Sequence, residues 1–251
     1  MSDLTIFGKT FTDVKGIKAT DTDGNEVVYG GGYDWDAFAS KKEPTGDVVL
    51  TVTTVSSYGF TRMPITSLYS DTVKQIGTIA FQGCNKLKTI DLPAFTHAAG
   101  GANSLFSSCT SLQSANLPLL GYPQGSNFFS GCTSLTTVNI PSVTRLQQSF
   151  FNGCSALPFV DLNENCASIE ANVFNGCNAL KTLVLRRSTS IVTLANINAF
   201  YNTPIRGYNG ETGEIYVPSA LISTYESATN WATIFTAGYV TFKPIEGSIY
   251  E

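Results

Sequence analysis

The chain has 251 residues, of which 43% are hydrophobic and 14% charged, with a net charge of -4. That charged share falls short of the roughly 25% usual in globular proteins, and Ser, Thr, Asn and Gly fill the gap. No basic run is present, so nucleic acid is not an expected partner. No stretch approaches the roughly 20 apolar residues of a membrane span, so membrane insertion is not expected either.

Residues 1–34 read as a small N-terminal β module. Leu4–Phe7 and Phe11–Val14 carry short strand signals. Ile17-Lys-Ala19 and Glu26-Val-Val-Tyr29 flank Asp21-Thr-Asp-Gly24-Asn25, whose Asp-Gly pair predicts a hairpin. Asp21, Asp23 and Glu26 lack the third acidic step and the later bidentate glutamate of a calcium loop, so a solvated turn is expected. After Gly30-Gly-Gly32, residues 35–47 read as a linker. Residues 48–75 read as an N-terminal cap over Val48–Val55, then a degenerate repeat. In that repeat Phe60-Thr-Arg-Met63-Pro64 is taken as the strand-and-proline end.

From 76 to 203 one phrase recurs: Phe81-Gln-Gly-Cys84, Phe106-Ser-Ser-Cys109, Phe129-Ser-Gly-Cys132, Phe151-Asn-Gly-Cys154 and Phe174-Asn-Gly-Cys177. The cysteines are 25, 23, 22 and 23 residues apart. A leucine follows each three residues later (Leu87, Leu112, Leu135, Leu157, Leu180). Further apolar residues come six later (Ile90, Ala115, Val138, Val160, Leu183) and eight later (Leu92, Leu117, Ile140, Leu162, Leu185). Pro93, Pro118 and Pro141 close the first three copies. Such self-similarity predicts a mostly-β repeat solenoid with one short strand per coil.

Equivalent positions in neighbouring coils lie about 4.8 Å apart with parallel side chains. A disulfide needs a closer, turned pair, so Cys84, Cys109, Cys132, Cys154 and Cys177 are expected to form a buried thiol ladder in the core. Cys166 stands outside it and is expected to behave independently. Thr203 replaces the next cysteine and marks the end of the array. Residues 204–251 then read as a C-terminal helix–strand cap. It comprises the strand Ile215-Tyr-Val217, a helix from an N-capping Ser219 to about Thr229, and a closing strand at Tyr239–Phe242.

The phrase A-F-x-G-C-x-x-L-x-x-I-x-L-P, which stands at Ala80–Pro93 and echoes four more times, resembles the BspA-like (Treponema-type) leucine-rich repeats. The resemblance spans residues 63–245, since Ile215–Ser219, Tyr225 and Ala228–Trp231 are similar to that family's terminal cap. Asn163 and Arg186 depart from it at the proline position. A second resemblance joins Val14–Asn25 to the opening module of virion proteins from phages of gut Firmicutes.

Chemistry is sparse. The single histidine, His97, lies in an irregular arm and is expected at the surface. The ladder thiols have no neighbouring base, and no pair of cysteines has zinc-knuckle spacing. No catalytic residue, metal or cofactor is therefore expected. Beside the strand leucines runs an outward row, Asp91, Asn116, Asn139, Asp161 and Val184. Asp91 and Asp161 are three coils apart, about 14 Å, beyond the roughly 5–9.5 Å of paired glycosidase carboxylates. A polysaccharide-active enzyme is the least favoured reading.

With Thr89, Ser114, Thr137, Phe159 and Thr182, the row makes a flat polar strip, a candidate surface for a protein or glycan. The bland alternative is a solvated strand face. Arg186 and Arg187 form a secondary patch or a solvated pair. The two resemblances imply a non-enzymatic phage virion surface protein, part of capsid or tail, assembled in the host cytoplasm. Its N-terminal module would dock to a virion structural protein, and its repeats would face a host surface protein or glycan. Met1-Ser-Asp-Leu-Thr-Ile6 lacks the basic start and apolar core of a signal peptide, which suits that reading. The alternative is a bacterial cell-surface adhesin of the repeat family.

Overall fold

The computed structural model describes the backbone of residues 4–6, 9–11, 17–20, 26–29, 45–55 and 57–251, and side chains within 46–55 and 57–251. A strand of three or four residues cannot bury its apolar side alone, so each copy of the phrase must stack on the next. The strands β5 (Thr45–Leu50), β7 (Ile65–Tyr69), β9 (Thr89–Asp91), β11 (Ser114–Asn116) and β12 (Thr137–Asn139) do so in parallel within one sheet. Leu68, Ile90, Ala115 and Val138 fall in register, and the first three are almost fully buried. On the same side a second sheet follows, of β14 (Phe159–Leu162), β16 (Thr182–Leu185), β18 (Gly213–Val217) and β19 (Val240–Pro244).

Return arms contribute narrower ribbons. One holds β6 (Thr54–Val55), β8 (Gln75–Ile76) and β10 (His97–Ala98); the other holds β13 (Arg145–Leu146), β15 (Ser168–Ile169) and β17 (Thr193–Leu194). The molecule is the mostly-β solenoid that the phrase predicts.

At the N-terminal end β1 (Leu4–Ile6) pairs antiparallel with β2 (Lys9–Phe11), and β3 (Ile17–Thr20) with β4 (Glu26–Tyr29). The second pair is the hairpin expected from the Asp-Gly turn; Asp21 and Asp23 themselves lie outside the described residues. β3 also pairs antiparallel with β5, so hydrogen bonding crosses from residues 1–34 into the repeat sheet and covers its first edge. Residues 45–55 are more than a cap. β5 begins at Thr45, within the stretch read as a linker, and with β6 it places one strand in each ribbon, completing a coil.

The third side of each coil is the Phe-x-Gly-Cys turn. Phe60, Phe81, Phe106, Phe129, Phe151, Phe174 and Phe200 stack in one column, centroids 5.0–5.8 Å apart and rings within 17° of parallel. Each thiol donates to the carbonyl of the phenylalanine one coil back. The pairs are Cys84 to Phe60, Cys109 to Phe81, Cys132 to Phe106, Cys154 to Phe129 and Cys177 to Phe151, at 3.0–3.2 Å. The glycine just before the cysteine sits at positive φ, 71–77° at Gly83, Gly131, Gly153 and Gly176. A side chain there is strained, and the copies without glycine carry that strain at Arg62, Ser108 and Asn202.

Phe60–Met63 therefore belongs to this turn and is not the strand-and-proline end. Phe60 heads the aromatic column, and the Met63 amide donates to the Phe60 carbonyl as the Cys84 amide does to that of Phe81. All six cysteines are free and buried, Cys166 included. At the end of the ladder the Thr203 hydroxyl turns to the Phe200 carbonyl of its own coil, at 2.7 Å.

The C-terminal cap differs from a single helix capped by Ser219. A 3-10 turn at Ser219–Leu221 leads into α1 (Ile222–Ser227), and after a break comes α2 (Trp231–Thr236). The Ser219 side chain caps nothing, and its amide donates to Glu246. The break has a cause. Asn230, at φ 68°, turns its Nδ2 onto the Leu194 carbonyl, while Trp231 Nε1 donates to the Val192 carbonyl and the Val192 amide donates to the Tyr225 hydroxyl. These side chains satisfy the open edge of β17, and Trp231 closes the aromatic column against Phe200 at 5.8 Å.

Pairing on the strand side stops between β12 and β14. In the other coils the residue leading into the strand donates its amide to the coil before: Lys88 to Thr66, Gln113 to Lys88, Thr136 to Gln113, Lys181 to Pro158. In the coil of β14 that residue is Pro158, which has no N–H to give.

Five thiols resist ionisation in the folded chain. For Cys84 and Cys109 contact with the next thiol along the ladder is the largest cause and burial adds to it; for Cys154, Cys166 and Cys177 burial dominates, pushing Cys166 up to about 11. Below about pH 8.5 both states hold these protons and stability is complete. Above that value only the unfolded chain releases them, so stability falls by about 1.4 kcal/mol per pH unit for each thiol. Urea midpoints are expected to be level up to about pH 8 and to drop beyond it; a level profile through pH 10 contradicts the buried ladder.

Candidate functional site

Parallel pairing in register brings the predicted strip together on the outer strand face in two parts, either side of the break between β12 and β14. Thr89, Ser114 and Thr137 are direct neighbours, as are Asp91, Asn116 and Asn139, and Phe159 lies beside Thr182. The first row also gains Ser67 and the second Tyr69, which is 40% exposed.

Within the second row the polar groups bond to one another. Asn139 Nδ2 donates to Asn116 Oδ1 at 2.7 Å, and Asn116 Nδ2 donates to Asp91 Oδ1 at 2.8 Å. This amide ladder stops at the sheet break. Beyond it Asp161 takes two bonds from Arg186, Nε to Oδ1 and Nη2 to Oδ2, both 2.8 Å. The pairing raises the Arg186 pKa, with the hydrogen bond to Asp161 as the first cause.

The departures from the repeat phrase thus have structural work. Arg186, at the proline position, reaches back one coil to Asp161. Asn163, at the same position one coil earlier, donates to the carbonyls of Pro141 and Val143. Arg187 bonds Ser190 Oγ in its own loop and the Glu164 carbonyl one coil back, so the secondary patch is tied to both.

Phe159 and Thr182 are half-buried. The Phe159 ring stacks on Tyr250 at 5.4 Å, and Tyr250 meets Tyr216 edge-on at 4.7 Å. Val184, between Asp161 and Tyr216 in the row, is fully buried although it lies on the outer face. Tyr250 lies against Phe159 of β14 and Tyr216 of β18, the two strands that flank β16. The strip is therefore open at Thr89–Asn139 and covered at β16. No local sequence pattern links residues 159 and 250.

Among the described residues, groups suited to catalysis do not converge. Asp91 and Asp161 are separated in the row by Asn116 and Asn139, and each has its own partner. His97 is exposed and bonded to Thr96. Among the described residues, no three His, Cys, Asp or Glu side chains come together as metal ligands would.

A family model for the BspA type leucine-rich repeat region matches residues 37–157 and 102–219, in six copies. The chain belongs to the BspA-type leucine-rich repeat family. No curated protein matches it. Among solved structures it is similar to a leucine-rich repeat protein from Bacteroides ovatus, at 19% identity and TM-score 0.45, covering 78% of this chain and 54% of that one. It is also similar to the T. pallidum leucine-rich repeat protein, at 25% identity and TM-score 0.39, covering 55% and 84%. A leucine-rich cell surface protein from Faecalibacterium prausnitzii is similar at 17% identity and TM-score 0.42, covering 84% and 71%. The chain spans about half the length of the Bacteroides protein.

Replacing Tyr250 by Ala is expected to cost about 1–2 kcal/mol, the value of two aromatic contacts, and to raise the exposure of Tyr216. Thermal unfolding and tyrosine iodination read these two effects. Unchanged values in both would mean that Tyr250 does not rest on the strand face.

Proposed function

We propose that this BspA-type repeat protein is a non-enzymatic recognition module displayed at a bacterial cell surface, binding a protein or glycan through its strand face. The observation that carries this reading is the open part of the strip. Thr89, Ser114, Thr137, Asn116 and Asn139 line up as uncharged hydrogen-bonding groups in parallel register, while every thiol faces inward. A flat, pre-ordered surface of hydrogen-bonding groups favours contact with a partner over chemistry on a substrate.

The resemblance behind the virion reading spans residues 14–25. Of these, β3 is engaged in covering the edge of β5, a role within the solenoid that calls for no particle. That favours the cell-surface alternative, although docking by residues 1–34 to a virion structural protein is tested by the same experiment.

Antibody raised against residues 46–251 should label intact producing bacteria, and the purified chain should adhere to host cells or matrix. Changing Thr89, Ser114 and Thr137 together to Lys should lower adhesion at least tenfold without unfolding the chain. Label confined to purified phage particles would transfer the protein to the virion; undiminished adhesion by the triple variant would remove the strand face from the reading.

A further inference from the structure

The break between β12 and β14 opens a cleft of about 250 Å³ in the strand face, lined among others by Val138, Asn139, Pro141, Asp161 and Arg186. Val138 is half-buried there, whereas its equivalents Ile90, Ala115, Val160 and Leu183 are at most 2% exposed. Polar groups are held around this apolar floor. Asn139 ends the amide ladder with its Oδ1 and one N–H outside the bond to Asn116. Asp161 is fixed by both bonds from Arg186, which leaves a lone pair on each carboxylate oxygen and the Arg186 Nη1 outside the pair.

We propose that this cleft binds one neutral monosaccharide unit of a glycan, an inference that rests on the strand face being the recognition surface. A sugar hydroxyl both donates and accepts, which matches a wall that alternates amide, carboxylate and guanidinium. The planar Asp161–Arg186 pair offers acceptor and donor side by side for two neighbouring hydroxyls, while Val138 and Pro141 meet the C–H face of the ring. The pair cancels its own charge, so an anionic ligand would gain no net attraction here.

A peptide strand is disfavoured by the ridge that the stacked Phe-x-Gly-Cys turns form on the third side of the coils. Across the same two coils Phe129 stacks on Phe151 at 5.8 Å and Cys154 donates to the Phe129 carbonyl at 3.2 Å. Admitting another strand would require a spacing of roughly twice 4.8 Å. Pinned at one side, the coils can part only as a shallow wedge.

The full chain, labelled with 15N, is titrated at millimolar concentration with D-glucose, D-galactose, D-mannose, N-acetyl-D-glucosamine and, separately, tetra-alanine. At least one sugar is expected to shift the amides of Val138, Asn139, Asp161 and Arg186. Asp161→Asn should weaken that binding about tenfold, the contribution of one hydrogen bond to a charged group. Val138→Phe should abolish it by filling the floor while the polar groups stay. Spectra unchanged away from the cleft certify both folds. No shift with any sugar, shifts with tetra-alanine alone, or a Val138→Phe variant that binds as before overturns the cleft assignment. Adhesion to cells that depends on Thr89, Ser114 and Thr137 while the cleft binds no sugar would leave the surface-recognition reading standing and remove only this one.

Discussion

The stacked Phe-x-Gly-Cys turn is the constraint from which the rest follows. A phenylalanine carbonyl buried in a dry interior needs more than its own turn to satisfy it, and the thiol of the next coil supplies the extra donor. Coil spacing is thereby fixed at the distance where aromatic rings stack, 5.0–5.8 Å. The cysteine is thus more than a small hydrophobe. A serine would bring a stronger donor but also a higher desolvation cost, and at the one position where a hydroxyl does appear, Thr203, it serves its own coil.

Because spacing is set at the ridge, the strand side has latitude. The ladder can be interrupted by Pro158 without unstacking the coils, and the resulting cleft lies between two arrangements of side-chain bonding. On the N-terminal side two amides bond along the row and end on Asp91; on the C-terminal side an ion pair and an aromatic cluster take over. The proposed recognition surface is the side that the ridge leaves free to vary. Both ends are closed by pairing: β3 against β5, and Tyr225, Asn230 and Trp231 against the residues around β17.

The ladder, the coil period and the register of the strip from Thr89 to Asn139 were legible because period alone dictates them. Every copy places the same residue type at the same place, and parallel stacking does the rest. The register of Phe60-Thr-Arg-Met63 is hidden in sequence because methionine stands for cysteine and arginine for glycine; the positive φ at Arg62, the ring stacked on Phe81 and the Met63 amide on the Phe60 carbonyl disclose it. Pro158 was visible as a letter, yet its consequence depended on knowing that the equivalent amides of Lys88, Gln113 and Thr136 are spent between coils. Contacts such as Phe159 with Tyr250 join distant residues through the cap and leave no periodic trace. The split of the cap helix at Asn230 was hidden for the same reason, since its cause is a carbonyl at Leu194.

Native-state hydrogen exchange of single amides tests the primacy of the ridge most directly. The amides of Gly83, Ser108, Gly131, Gly153 and Gly176 each donate to a carbonyl one coil further on, at 2.7–2.8 Å. They should exchange only through global unfolding, all with the same free energy, while amides beside the sheet break, Ile140 among them, exchange through smaller openings. If the turn amides instead opened locally and the strand amides proved the most protected, the ridge would not be what holds the coils together.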